Sequence, residues 1–219
     1  MKMKPILFNT PMVQAILDGR KTMTRRIAKR IPEETHRVEQ ISDNEFEAYW
    51  GGYVPDLKGF VDGSTIIKSP YQPGDILWVR ETWQHFCLNR NTMPNCFAGH
   101  SEYCFKASLN DTTYGCCGEG GCKKWRPSIF MPREAARIFL RVRKVWVERV
   151  QDISEEDAKA EGVNPIVDAT LNILPNGYRL AFNGLWNELN SRRGYGWDVN
   201  PWLFVYEFER VDKLGEELK

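Results

Sequence analysis

The chain lacks an excess of either charge: 30 Lys and Arg against 29 Asp and Glu leave a net +1 over 219 residues. That excludes a histone-like polycation, and any nucleic-acid site must be a local patch. Long apolar runs are also missing. Nothing comes near the roughly 18 residues a membrane-spanning helix needs, so no membrane partner is expected. A secretory h-region is lacking too, because Asn9 interrupts the short run Ile6-Leu7-Phe8 that follows the basic Met1-Lys2-Met3-Lys4-Pro5. The expected location is therefore the cytoplasm, where thiols stay reduced. Histidine is scarce, with only His36, His85 and His100, and no paired-aspartate cluster is present. A ribonuclease reading has little to stand on. There is no internal repeat and no low-complexity tract.

What is present fits one globular domain over residues 1–219. Apolar residues make up 42% and charged residues 27%, which excludes disorder as a description of the whole. All six cysteines lie between Cys87 and Cys122, spaced C-x8-C-x7-C-x11-C-C-x4-C, with His85 and His100 nearby. Residues 87–124, rich in Gly, Asn, Thr and Cys, read as an insertion. Cys104, Cys116, Cys117 and Cys122 could hold a structural zinc that staples an insert without its own core. No C-x2-C knuckle occurs, and reduced, unliganded thiols are the other reading. No other cofactor is required. Eight tryptophans supply core filler or stacking floors for bases.

The patterning predicts a strand at Ile6-Leu7-Phe8, then a helix capped by Thr10 with Pro11 in its first turn, ending at Gly19. The Thr-rich, alternating segment from Arg20 to Arg26 predicts a strand or extended loop. Residues 32–70 read as short strands and loops. Pro73-Gly74-Asp75 is a turn signal, followed by a strand from Ile76 to Trp83. One or two helical turns are expected at Pro132–Ala136, and a strand from Ile138 to Arg143. Ser154 caps a helix whose first turn carries Glu155, Glu156 and Asp157 and which stops at Glu161-Gly162. A helix from Tyr178 to Leu189 places Leu185, Trp186 and Leu189 on one stripe. Trp202 to Val211 reads as the last strand. Strands at both ends and in the middle, joined by helices, predict a small mixed α+β barrel.

Three groups of residues carry chemistry. In Gly19 to Arg26, the arginines suit phosphate or carboxylate. Lys21, crowded by cations, loses its proton more readily and can act as a base toward the Thr24 hydroxyl. A solvated basic edge is the bland alternative. On an ideal strand Lys21 and Thr24 face opposite ways, so a shared pocket needs a turn or bulge between them. Glu161, at the negative end of a helix, suits a proton donor or shuttle, or is merely a solvated residue before a glycine cap. Glu81 and Trp83 at a strand end, with Trp197, Asp198, Asn200 and Trp202 in a loop, could stack on and hold a base, or could be core packing.

Gly19-Arg20-Lys21-Thr22-Met23-Thr24-Arg25-Arg26 resembles the signature of the ASCH domain (activating signal cointegrator homology), G-x-K-x-x-[E/T]-x-R. Phe8-Asn9-Thr10-Pro11-Met12 through Asp18, and Gln72-Pro73-Gly74-Asp75 with Trp78 to Trp83, are similar to phage and prophage members. So are Trp125 to Ile129 with Met131-Pro132-Arg133, Ile153 to Ala158 with Glu161-Gly162, and Trp197-Asp198 with Asn200-Pro201-Trp202. Several blocks in one order are more specific than one short motif.

The resemblance implies a PUA-like small mixed β-barrel surrounded by helices. Its cleft would bind RNA, DNA or a modified nucleoside, in a host cytoplasm if the protein is phage-encoded. Through one small bacterial branch of the family it further implies an amidohydrolase acting on N4-acylated cytidine, with Lys21, Thr24 and Glu161 as the catalytic set. Around them Arg25, Arg26 and Arg193 would meet phosphate, and Glu81, Trp83 and Trp197 would contact the base. The chain departs from that small branch in its greater length and its cysteine insert. The alternatives are a non-catalytic RNA- or DNA-binding module and a ribonuclease.

Overall fold

A computed structural model of the chain describes residues 2–32, 34–54, 59–85, 103–108 and 125–212. In chain order the elements are β1 (Met3–Leu7), α1 (Thr10–Leu17), β2 (Met23–Ile27), β3 (Thr35–Gln40), β4 (Glu45–Val54), β5 (Gly59–Lys68), β6 (Ile76–Arg80), β7 (Trp83–His85), β8 (Tyr103–Phe105), β9 (Phe139–Arg149), α2 (Glu155–Ala160), α3 (Gly177–Asn190) and β10 (Trp202–Val211). The class is mixed α+β, mostly strands with few helices. Contacts divide the chain into two compact units. One is built from Arg20–Asp75 and Arg141–Glu209, the other from Met3–Gly19 and Ile76–Leu140, with the chain ends added.

In the first unit β10 lies between β9 and β2. β2 and β10 are antiparallel, with Thr24 opposite Tyr206, Arg25 opposite Val205 and Arg26 opposite Phe204. Residues 35–54 and 59–68, expected as short strands and loops, instead form an antiparallel sheet in the order β3-β4-β5. The helices α2 and α3 enclose an apolar cluster of Val150, Ile153, Ala158, Phe182, Trp186 and Leu203. Ser154 caps α2 as expected, its Oγ accepting from the Asp157 N–H at 3.0 Å. The buried stripe of α3 differs from the expected one. Phe182, Trp186 and Asn190, four residues apart, face inward, while Leu189 is exposed.

Gly177 opens α3 where no side chain fits. A Cβ there would lie 2.7 Å from the Ile166 carbonyl oxygen and 3.0 Å from Ile173 Cγ2. That backbone is fastened by Ile166 N–H to Gly177 O at 3.1 Å and Gly177 N–H to Leu174 O at 2.8 Å. On an open helix Gly→Ala would stabilise by up to about 1 kcal/mol. Here overpacking outweighs that gain, and Gly177→Ala is expected to destabilise by about 1–3 kcal/mol, read as a lower urea midpoint at unchanged m-value.

In the second unit β1 and β6 are parallel, from Met3 opposite Ile76 to Leu7 opposite Arg80. β7 pairs with β8. Asn9, not Thr10, caps α1: its Oδ1 accepts from the Met12 N–H at 2.9 Å. Ile76, Trp78, Trp83, Phe105, Met131 and Phe139 lead the core of this unit. Among the described residues each strand order is open, so the closed barrel expected from the sequence is not among these ladders.

Candidate functional site

The chain leaving α1 turns at Gly19, which has φ +73°, and runs past the end of α2 before entering β2. Three contacts fasten this passage. The Thr22 N–H donates to Ala160 O at 2.8 Å, the Phe208 N–H donates to Thr22 O at 2.9 Å, and Arg20 Nη1 donates to Gly162 O at 2.8 Å. Lys21 is thereby bridged, antiparallel, to Glu161. Lys21 stands outside the regular strand β2, so the alternation of that strand does not fix its direction relative to Thr24.

Lys21 is 2% exposed and Glu161 5%, so their pairing takes place away from water. Lys21 Nζ donates to Glu161 Oε2 at 2.5 Å and to the Glu161 carbonyl oxygen at 2.9 Å. A cation on the last carbonyl of a helix is favourably placed against its negative end. Burial pushes the Lys21 ammonium below the usual lysine value of 10.5. The charge and hydrogen bond of Glu161 oppose that shift, Arg26 and Arg25 add to it, and the net direction is down.

Arg25, expected to meet phosphate, does something else. Its side chain is fully buried and its guanidinium is taken up by carboxylates. Nε and Nη2 reach Glu148 Oε1 at 2.8 and 2.7 Å, Nη2 reaches Asp157 Oδ2 at 2.9 Å, and Nη1 reaches Glu161 Oε1 at 3.3 Å. Burial alone would lower its pKa, but Glu161, Glu148 and Asp157 together raise it. Trp146 Nε1 donates to the other Glu148 oxygen at 2.7 Å. Neither Glu148 nor Asp157 is among the site residues expected from the sequence. Asp157 was legible in principle, since it precedes Glu161 by four residues and shares its helix face. Glu148 comes from β9 and gave no local signal.

Thr24 is 3% exposed and lies on the face of β2 opposite Arg25. Its directly opposed cross-strand neighbour is Tyr206, whose hydroxyl shares a 2.9 Å hydrogen bond with Ser69 Oγ. Burial pushes the Tyr206 phenol well above its ordinary value. Among the described residues no hydrogen bond joins Thr24 Oγ1 to Lys21 Nζ. The structure thus joins Lys21 and Glu161 directly and places Thr24 beside Tyr206.

The other expected contact residues scatter. Arg193 is exposed and donates from Nη1 to Asn190 Oδ1 at 3.3 Å. Trp197 is half-buried, its ring 6.4 Å from that of Phe182 and 5.7 Å from the Arg179 guanidinium. Glu81 and Trp83 belong to the core of the other unit. Glu81, 1% exposed, takes a two-point ion pair from Arg137 at 2.8 and 3.0 Å. Trp83, 2% exposed, packs against Tyr103 with ring centres 5.6 Å apart and under the Arg126 guanidinium at 5.2 Å. The surface expected to stack on a base is thus taken by protein atoms. Of the proposed zinc ligands, Cys104 is buried in β8, while Cys116, Cys117 and Cys122 lie outside the described residues. No helix among the described residues is long and apolar enough to cross a membrane.

No family model matches the chain, and no curated protein matches it either. It is similar to a crystal structure of an Enterococcus faecalis V583 protein assigned to the family DUF984. The TM-score is 0.41 and the identity 12%, over 97% of this chain and 82% of that one.

Proposed function

We propose that this chain is an ASCH-type protein with a PUA-like core that binds a nucleoside or a nucleic-acid strand and hydrolyses the acyl amide on N4 of an acylated cytidine. The observation that carries the reading is the buried Lys21–Glu161 pair, with Lys21 held below its usual pKa in the segment that resembles the family signature. A lysine so placed reaches its neutral, basic form at lower pH than a solvated one. Neutral Lys21 takes the proton of Thr24, whose oxygen attacks the acyl carbonyl. The C–N4 bond breaks, Glu161 relays the proton from Lys21 to the departing amine, and water releases the acid from Thr24. Productive binding has to turn the Thr24 hydroxyl toward Lys21, since the two are not hydrogen-bonded.

A second reading has its own observation. Lys21 Nζ is committed to two oxygens of Glu161, and Arg25 to three carboxylates, as in a structural ion network. That favours a module that binds without chemistry. Incubation with N4-acetylcytidine, following cytidine release, separates the two. Hydrolysis is expected, with Lys21→Ala slower by about 10²–10⁴-fold. Absence of turnover alongside salt-sensitive, saturable oligonucleotide binding supports the module instead.

A further inference from the structure

The side of β2 that carries Arg26 borders a cavity of about 430 Å³ in the first unit. Four of its lining residues are cations, Arg26, Lys29, Arg30 and Lys68, and none is acidic. The balance of the whole chain is 30 basic to 29 acidic, so this hollow is a local departure from neutrality. Its position follows from the fold. The turn after β2, closed by Ile31 N–H to Ala28 O at 3.1 Å, brings Lys29 and Arg30 to one wall. The end of β5 brings Lys68 and Ser69 to the other, and Phe204, opposite Arg26 on β10, gives an apolar lining.

These cations differ in how far they are already engaged. Lys68 pairs with Glu45 at 2.5 Å on the rim. Lys29 and Arg30 are exposed and pair with no carboxylate among the described residues. Arg26 is half-buried within the fields of Tyr71, Glu161 and Tyr206. Cations gathered in a concave site with low-dielectric walls focus a positive potential on an anion. The volume suits a ligand of nucleotide size. An apolar ring beside clustered Arg and Lys suits a planar base linked to phosphate.

We propose that the hollow formed by Arg26, Lys29, Arg30, Lys68, Ser69 and Phe204 binds the phosphate of a nucleotide, free or within a strand. The identity of the anion rests on the nucleoside reading above. The hollow takes the role that the sequence suggested for Arg25, which is locked on carboxylates. Arg26 and the two turn residues approach the phosphate, and the base packs toward Phe204.

Equilibrium dialysis tests this with cytidine 5′-monophosphate, cytidine and a short cytidine-rich oligonucleotide at about 50 and 200 mM salt. Expected is monophosphate affinity at least tenfold above that of cytidine. The double variant Lys29→Ala/Arg30→Ala should lose about tenfold for the monophosphate while holding cytidine as before. Both residues are exposed, so the fold should survive, and an unchanged thermal midpoint checks it. Lys144→Ala, an exposed cation elsewhere, should bind like the parent. A steeper salt dependence for the oligonucleotide, reduced by about two in slope by the double variant, identifies a strand as the source of the phosphate. Saturation by the monophosphate with no gain from the oligonucleotide identifies a free nucleotide. Monophosphate binding no tighter than cytidine, or unaffected by the double variant, overturns the proposal. Failed hydrolysis of N4-acetylcytidine with this pattern intact would remove the chemistry and leave the pocket.

Discussion

Arg25→Ala is expected to lower the unfolding free energy by about 3 kcal/mol, the order found when one member of a buried ion pair is removed. Three carboxylates converge on this guanidinium, and the variant leaves all of them facing one another. The cost should fall at the lower end of the range for such changes. Asp157 and Glu148 side chains are 27% and 15% exposed and can be rehydrated, whereas Glu161 is only 4% exposed. Urea titration gives the number directly. A double-mutant cycle isolates the cause, because Arg25→Ala should cost less in an Asp157→Asn background, with a coupling of roughly 0.5–3 kcal/mol. Additive losses would mean that Arg25 stabilises by packing over the Phe182 ring, 5.9 Å from the guanidinium, rather than by charge. Arg25→Lys should recover only part of the stability, since a point ammonium cannot present the guanidinium fork.

In Glu161→Gln, Lys21 keeps its burial and loses the charge that offsets it. Its pKa, already below 10.5, is expected to fall further, as read by NMR titration of the lysine side-chain carbon or nitrogen. The sign of the stability effect follows from linkage. With the folded pKa below the unfolded one, the unfolded chain holds the extra proton between the two values, and stability rises with pH through that window. The variant extends the window downward. Its deficit against the parent should be greatest on the acidic side, about 3 kcal/mol while Lys21 is charged, and should shrink once Lys21 is neutral. If Lys21 is the base for Thr24, the rise of kcat/KM with pH moves down in parallel, while the loss of the proton shuttle lowers the plateau. A Lys21 pKa that stays put in Glu161→Gln would show that some other group sets it.

Local signals were readable where one short segment determines its own geometry. Ser154 with three acids behind it, and Glu161-Gly162 after Ala160, mark both ends of α2. The β-rich run Trp202 to Val211 matches β10. The meeting of Lys21 with Glu161 could be anticipated from the family resemblance of both segments. What periodicity could not show was where side chains find partners far along the chain. The carboxylates of Glu148 and Asp157 turn Arg25 from a phosphate ligand into a buried counter-ion. Arg137 and Arg126 do the corresponding work on Glu81 and Trp83, whose place at a strand end had suggested contact with a base. Glycines and aromatics in 45–68 disguised two ten-residue strands, because strand pairing, not local propensity, decides such segments.

Lys21 and Glu161 are separated by 140 positions. At common rates of translation, roughly 7–28 s pass between the emergence of the first and that of the second. Throughout that interval the lysine remains hydrated and fully basic on the nascent chain. Closing so long a loop demands entropy that nearby contacts cannot recover early, which places the event late in folding. The tuned ammonium is therefore a property of finished molecules, and a ribosome-bound or prematurely terminated product without α2 would display an ordinary lysine.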